Sequence, residues 1–257
     1  MAEIIAVAIQ KGGVGKSTTV HELAANLKAM RKRVLLIDGD PQQNLSRHVG
    51  ADFKKPTIYN VMMGAVRTED AIQSINGLDI IIADKQLKRV ERDFVEEDDI
   101  YRLAAVLLSV KDSYNYIIID TPPSLGMMPS MALCAADYVL IPCEATSEGA
   151  QGLGQLAESI REIREENNPD LKTLGIFLTQ YNWRTTFNKA MKIEIAEVAK
   201  MMNTKVLSTY IRSAVAVQEA HGFSQSLVDY APRSKPAQDY KDLTKEILKE
   251  MKRYEGK

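Results

Sequence analysis

Two lysines stand five residues apart in the stretch VAIQKGGVGKSTT, residues 7–19, with glycines filling the space between them. Gly12, Gly13 and Gly15 carry no Cβ and let a backbone approach an anion closely. Val14 lies inside the loop, and Lys16, Ser17 and Thr18 close it. The spacing follows G-x-x-x-x-G-K-[ST], in which successive amide groups cradle phosphate, the lysine reaches the β- and γ-phosphates and the hydroxyl meets Mg²⁺. Gln10 stands where that pattern begins with glycine, and Lys11 adds a charge beside it. A dinucleotide turn is the competing reading of such glycines. It fails because Thr18 occupies the place of its third glycine and a Gly-Lys-Ser ending has no part in it.

Two carboxylate groups have the spacing to complete such a site. In LLIDGDPQQN, Asp38 and Asp40 fall where an apolar run ends, so both can turn toward one cavity. Taken alone, this D-x-D is also compatible with a plain turn and helix cap. In YIIIDTPPS, Asp120 ends a second apolar run and faces a stiff Pro122-Pro123 exit. An aspartate there, downstream of a phosphate loop, suits Mg²⁺ held through a water.

The elements that must position these groups read as strands over residues 4–9, 33–38, 78–83, 114–120, 138–142, 174–179 and 204–208, with amphipathic helices between them. Several runs are continuously aliphatic, as expected when both faces of a parallel sheet are covered. The expectation is an α/β fold: a three-layer, doubly wound, mostly parallel sheet with helices on both faces, forming one domain over residues 1–257. The phosphate loop then sits between the first strand and the N-terminus of a helix, whose dipole favours anions. KQLKRVERDFVEEDD is expected to be an exposed helix.

The loop KGGVGKST, the D-x-D-P-Q-x-N run over residues 38–44 and the Asp120 strand together resemble the deviant Walker A ATPases of the ParA/MinD family. The resemblance extends from end to end and implies the P-loop NTPase fold, ATP with Mg²⁺, and a homodimer that sandwiches two nucleotides. It assigns Lys11 to the partner subunit's phosphates, in the manner of an arginine finger. It makes Asp40 the residue that orients or deprotonates the attacking water, and leaves Asp38 either assisting near the metal or holding the loop. Thr209, Ile211, Glu219, Ala220, Tyr230, Pro232, Arg233, Ser234, Ala237 and Tyr240 match the partition branch of the family. Arg212 and Ser213 replace that branch's proline and arginine, which leaves the base contacts open.

The formal net charge of −1 announces no polyanion, yet from residue 184 onward 14 Lys and Arg outnumber 9 Asp and Glu. Arg184 stands where partition ATPases carry a residue for non-specific DNA binding. Lys189 and Lys192 follow it, and Arg212 is expected to stand in for a second arginine, absent at Ala216, if that segment is helical. The resemblance thus implies non-specific DNA and a ParB-like protein as partners. No membrane-length apolar run or metal-spaced cysteine pair is seen, and neither a leader nor a DNA-reading domain ahead of the first strand is expected. The expected location is the cytoplasm, on the nucleoid when ATP is bound. The last amphipathic helix, with Leu243, Ile247, Leu248, Met251 and Tyr254, is expected to pack on the core and not on a membrane. The rivals are a MinD-like positioning ATPase and a metabolic phosphate-transfer enzyme.

Overall fold

Runs of aliphatic residues with no polar alternation must be covered on both sides, and Val34–Asp38 is buried at every position. In the computed structural model, which describes residues 1–256, it lies inside a seven-stranded sheet. The strands are β1 (Glu3–Val7), β2 (Val34–Asp38), β3 (Gln73–Ile75), β4 (Leu78–Ile81), β5 (Tyr116–Asp120), β6 (Tyr138–Glu144) and β7 (Lys172–Thr179), in the order β3-β4-β2-β5-β1-β6-β7. All neighbours are parallel except β3 and β4. The helices are α1 (Lys16–Ala29), α2 (Asn44–His48), α3 (Ile58–Met62), α4 (Thr68–Ala71), α5 (Val90–Asp93) and α6 (Arg102–Leu108). They continue as α7 (Met127–Ala135), α8 (Ser147–Glu166), α9 (Thr186–Met201), α10 (Val215–Gly222), α11 (Leu227–Tyr230) and α12 (Lys235–Glu255).

The period-2 alternation of strand side chains divides the interior into two cores. Ile4, Ala6, Leu35, Ile37, Ile117 and Ile119 join one, under Leu107 of α6, Met131 of α7, Leu153 of α8 and Ile195 of α9. Ile5, Val7, Leu36 and Ile118 join the other, under Leu23 of α1, Leu45 of α2, Ala220 of α10 and Leu243 and Ile247 of α12. The three-layer α/β expectation is met. The final helix spends its apolar stripe on this second core, with Leu243, Ile247 and Met251 buried. Among the described residues no helix is long and apolar enough to cross a membrane.

Three expectations need correction. Residues 204–208 form no strand; Val206 makes a single bridge to Ile176. Glu246 of α12 accepts the Ser208 and Thr209 N–H groups (2.8 and 2.9 Å), which takes those donors from any ladder. β3 was not expected at all, and it pairs with β4 through a two-residue turn in which Asn76 and Gly77 both take positive φ. The charge-dense stretch 85–99 is not one helix. The chain leaves helical geometry at Phe94, which is buried, and a capping box between Glu96 and Asp99 starts a new turn.

Candidate functional site

β1, β5 and β2 lie side by side and end level with one another, Val7 opposite Asp120 and Asp120 opposite Asp38. The chain first winds to one side of β1 and later returns to place β6 on the other, so the carboxyl ends of these strands flank a topological switch point. The glycine loop leaves β1 there. Gly13 and Gly15 take φ of 78° and 84°, conformations that an L side chain strains, and Gly15 leads directly into α1. Val14 is fully buried and pins the loop to the core. Gly12 and Gly13 are exposed, while Ser17 and Thr18 are half-buried in the first turn of α1.

Lys16 is buried and donates to the Lys11 carbonyl at 3.0 Å. Burial lowers its pKa, and the charges of Asp120 and Asp40 oppose that shift. Asp120 is fully buried, and neither carboxylate oxygen completes a hydrogen bond. Its pKa is raised well above the carboxylate range by burial and by the Asp38 charge, while Ser17 and Lys16 act the other way. A buried carboxylate with no fully formed hydrogen bond, approached by the Ser17 hydroxyl and by Lys16, fits a place near a hard divalent cation. Asp40 is also buried, and its Oδ1 accepts the Gln42 N–H at 2.9 Å.

Asp38 is the exception among the carboxylates. One oxygen accepts the Asp40 N–H, and the other accepts both the N–H and the hydroxyl of Ser46 (2.9 and 2.6 Å). Its pKa is nonetheless pushed up to about 6 by burial, which outweighs these hydrogen bonds. With its oxygens so engaged, Asp38 ties the end of β2 to the Asp40 and Ser46 backbone. Gly39 permits the tight approach: its N–H donates to the Asp120 carbonyl at 2.9 Å, and a Cβ at this position would lie 2.7 Å from that oxygen.

Lys11 points away from solvent. Its ammonium meets Glu144 of β6 at 2.6 Å and the Thr146 hydroxyl at 2.9 Å. Gln180, just after β7, donates one amide nitrogen to both Glu144 (2.6 Å) and the Gly13 carbonyl (3.0 Å). Glu144, Thr146 and Gln180 are the neighbours of the loop that sequence reading missed. The available signal was position alone, since these polar residues lie at the carboxyl ends of β6 and β7, on the same sheet edge as the loop that leaves β1.

On the other side of the loop is a cavity of about 200 Å³ bordered by Gly13, Gly15, Thr18, Gln180, Arg212 and Tyr240. Arg212 belongs to this cavity and not to a basic helix face. Residues 207–214 are not helical, and the guanidinium makes two bonds to Asp239 of α12, at 2.7 and 2.8 Å. Its charge is therefore matched within the chain, and the helical placement one turn from Ala216 that the expectation required is absent. Arg184 is exposed beside the exposed Trp183, its guanidinium carbon 5.4 Å from the ring centroid. Lys189 is exposed on α9, and Lys192 lies half-buried over the Tyr181 ring. Ser234 of the partition-branch motif caps α12, and Tyr240 is buried beneath the cavity.

All three histidines meet behind the loop. His48 of α2 and His221 of α10 stack with centroids 3.6 Å apart, and His21 of α1 lies near them. His21 Nδ1, His48 Nδ1 and His221 Nε2 are buried without a hydrogen bond. Burial pulls His21 and His221 down to about 4 and His48 to about 3, so all three are neutral at pH 7. Beside them burial pushes Glu22 up to about 8, although it accepts the Leu227 N–H. Among the described residues no such group is arranged to hold a metal ion.

Residues 2–173 match a family model described as an AAA domain. The chain is 39% identical over 253 residues to the sporulation initiation inhibitor protein Soj of Bacillus subtilis, covering 96% of this chain and 98% of Soj. It is 35% identical over 252 residues to the chromosome partitioning protein ParA of Caulobacter vibrioides, covering 95% and 93% of the two chains. A solved structure described as cobyrinic acid a,c-diamide synthase from Mycobacterium smegmatis, with bound ATP analog and magnesium, is similar at a TM-score of 0.86 and 30% identity, covering 98% and 96%.

Proposed function

The chain belongs to the Soj/ParA family of P-loop ATPases, and on that premise we propose that it is a DNA-partition ATPase that dimerises around two Mg-ATP molecules. The ATP-bound dimer binds DNA without sequence preference, and a ParB-like partner stimulates the hydrolysis that resets it. In this reading it is cytoplasmic and associates with the nucleoid when loaded. The observation that carries the nucleotide chemistry is the convergence of Lys16, Asp40 and Asp120 at the level ends of β1, β2 and β5. The partition role rests on the near full-length likeness to Soj and ParA.

The loop amides of residues 12–18 and the Lys16 ammonium bind the polyphosphate, and the helix dipole of α1 adds to the attraction. Ser17 and Asp120 would hold Mg²⁺. When bound, the ion neutralises charge on the β- and γ-phosphate oxygens. Asp40 orients the attacking water and takes its proton as the bond between the γ-phosphorus and the bridging oxygen breaks, leaving ADP and phosphate. Lys11 of the second copy stabilises the charge that spreads over the transferring group. Arg184 and Lys189 supply phosphate contacts to DNA, with Lys192 beside them.

Size-exclusion chromatography of Asp40→Ala with ATP, with and without non-specific duplex DNA, tests this reading. The expected result is a stable dimer that co-elutes with DNA and turns ATP over poorly. A monomer under all conditions, or wild-type turnover, would refute it. Recovery of a phosphorylated small molecule beside ADP, in place of free phosphate, would favour a metabolic role.

A further inference from the structure

A lysine that serves a neighbouring subunit's phosphates must offer its ammonium outward, and in this chain it is stowed. The Lys11 and Glu144 side chains are only 20% and 19% exposed, and Glu144 and Thr146 take two of the three ammonium donors. Thr146 is itself fixed, because its hydroxyl also accepts the Gly149 N–H as the N-cap of α8. The other Glu144 oxygen is held by Gln180, whose amide nitrogen also bonds the Gly13 carbonyl. The carboxylate that grips Lys11 is thereby tied to the phosphate loop. The exposed Glu148 is held below the usual carboxylate range by its own backbone N–H and the Thr146 hydroxyl, with the Lys11 charge adding to both. Burial pushes the neighbouring Cys143 thiol up, and Lys11 opposes that.

We propose that Glu144 is a positioning residue that clasps Lys11 within its own protomer and releases it only when a second ATP-loaded copy is engaged. The proposal rests on the reading that Lys11 acts in trans. In the lone protomer the ammonium is satisfied locally and cannot reach a neighbour. In the dimer the partner's polyphosphate outcompetes one carboxylate, because it carries more charge. Breaking the clasp is then part of the cost of association, so Glu144 sets the protein concentration at which turnover begins. The link through Gln180 couples the clasp to the loop: drawing the Gly13–Gly15 segment around phosphate pulls on the group that holds Glu144.

The test is the protein-concentration dependence of ATP turnover for wild type, Glu144→Gln, Lys11→Ala and the double variant, with nucleotide affinity and melting measured as controls. A half-buried ion pair of this kind is worth about threefold in each protomer, and a symmetric dimer counts it twice. For Glu144→Gln the half-saturating concentration should fall about tenfold, with the plateau rate and ATP affinity unchanged. The double variant should behave as Lys11→Ala. An unchanged or raised half-saturating concentration, with Lys11→Ala inactive, overturns the clasp and leaves the trans reading standing. Full activity in Lys11→Ala removes the trans reading and the clasp with it.

Discussion

Replacing Gly39 by alanine would set a methyl group 2.7 Å from the Asp120 carbonyl oxygen and 2.9 Å from the terminal methyl of Met128. The methionine can swing aside, but the carbonyl ends β5 and accepts the Gly39 N–H, so it cannot. Reaching an ordinary contact of 3.4 Å requires the ends of β2 and β5 to separate by about 0.7 Å. Such overpacking costs about 1–3 kcal/mol of stability. In a chain of this size, each kcal/mol lowers the melting temperature by about 2–4 °C. The larger effect falls on chemistry, because Asp40 follows the end of β2 and so shifts relative to Asp120, which ends β5, and to Lys16. A misplacement of 1 Å costs about 100-fold in rate, so a loss of about tenfold or more in kcat is expected. The phosphate loop itself is not disturbed, and ATP affinity should stay within about threefold of wild type. Steady-state phosphate release at saturating Mg-ATP, together with a separate nucleotide-binding titration, reads both quantities. Wild-type turnover with unchanged melting would show that the close approach at Gly39 is not needed to align Asp40.

Lys16→Ala should weaken ATP binding by about 30-fold or more, since it removes the buried cation facing the phosphates; retained affinity in a fluorescent-nucleotide titration would refute the loop's role. Arg184→Ala should weaken duplex binding and lower the salt slope by about one while ATP turnover stays near normal; an unchanged slope in a fluorescence-anisotropy salt series would remove the residue from the DNA face. The histidine cluster predicts an acid-sensitive fold. Its folded pKa values of about 3 to 4 lie below the ordinary 6.5, so its stability is present above pH 6.5 and is lost as pH falls through that window. Each histidine contributes about 2 kcal/mol of that loss between pH 7 and pH 5. Glu22 and Asp38, both raised by burial, oppose this in wild type and variants alike. His48→Gln should therefore shrink the pH 7 to pH 5 difference in urea-unfolding free energy by about 2 kcal/mol relative to wild type, and equal differences would refute the assignment.

What could be read in advance divides by the range of the interaction that decides it. The loop from Gly12 to Thr18 and the strand ends at Asp40 and Asp120 are local patterns, and their placement follows from a strand entering a turn. Lys11 is different. Its identity pointed outward, while its contacts come from Glu144 and Thr146, more than 130 residues away, which meet it only because β6 pairs with β1. The partner of Arg212 was hidden for a similar reason, since Asp239 arrives on α12. For Asp38 the sequence left two places open, near the metal or holding the loop, because the Ser46 that engages one of its oxygens gives no sign of doing so in the motif. The β3–β4 hairpin, by contrast, was legible in principle: Asn76-Gly77 between Ile75 and Leu78 is a strong two-residue turn signal.

Placing every imidazole of the chain at one seam also makes that seam observable. The three ring Cε1–H resonances in a proton NMR spectrum all come from where α1, α2 and α10 touch, and His221 borders the cavity beside the loop. Any movement of those peaks as nucleotide is added would report the junction of the phosphate-loop helix with the two helices behind it, free of signals from the rest of the molecule.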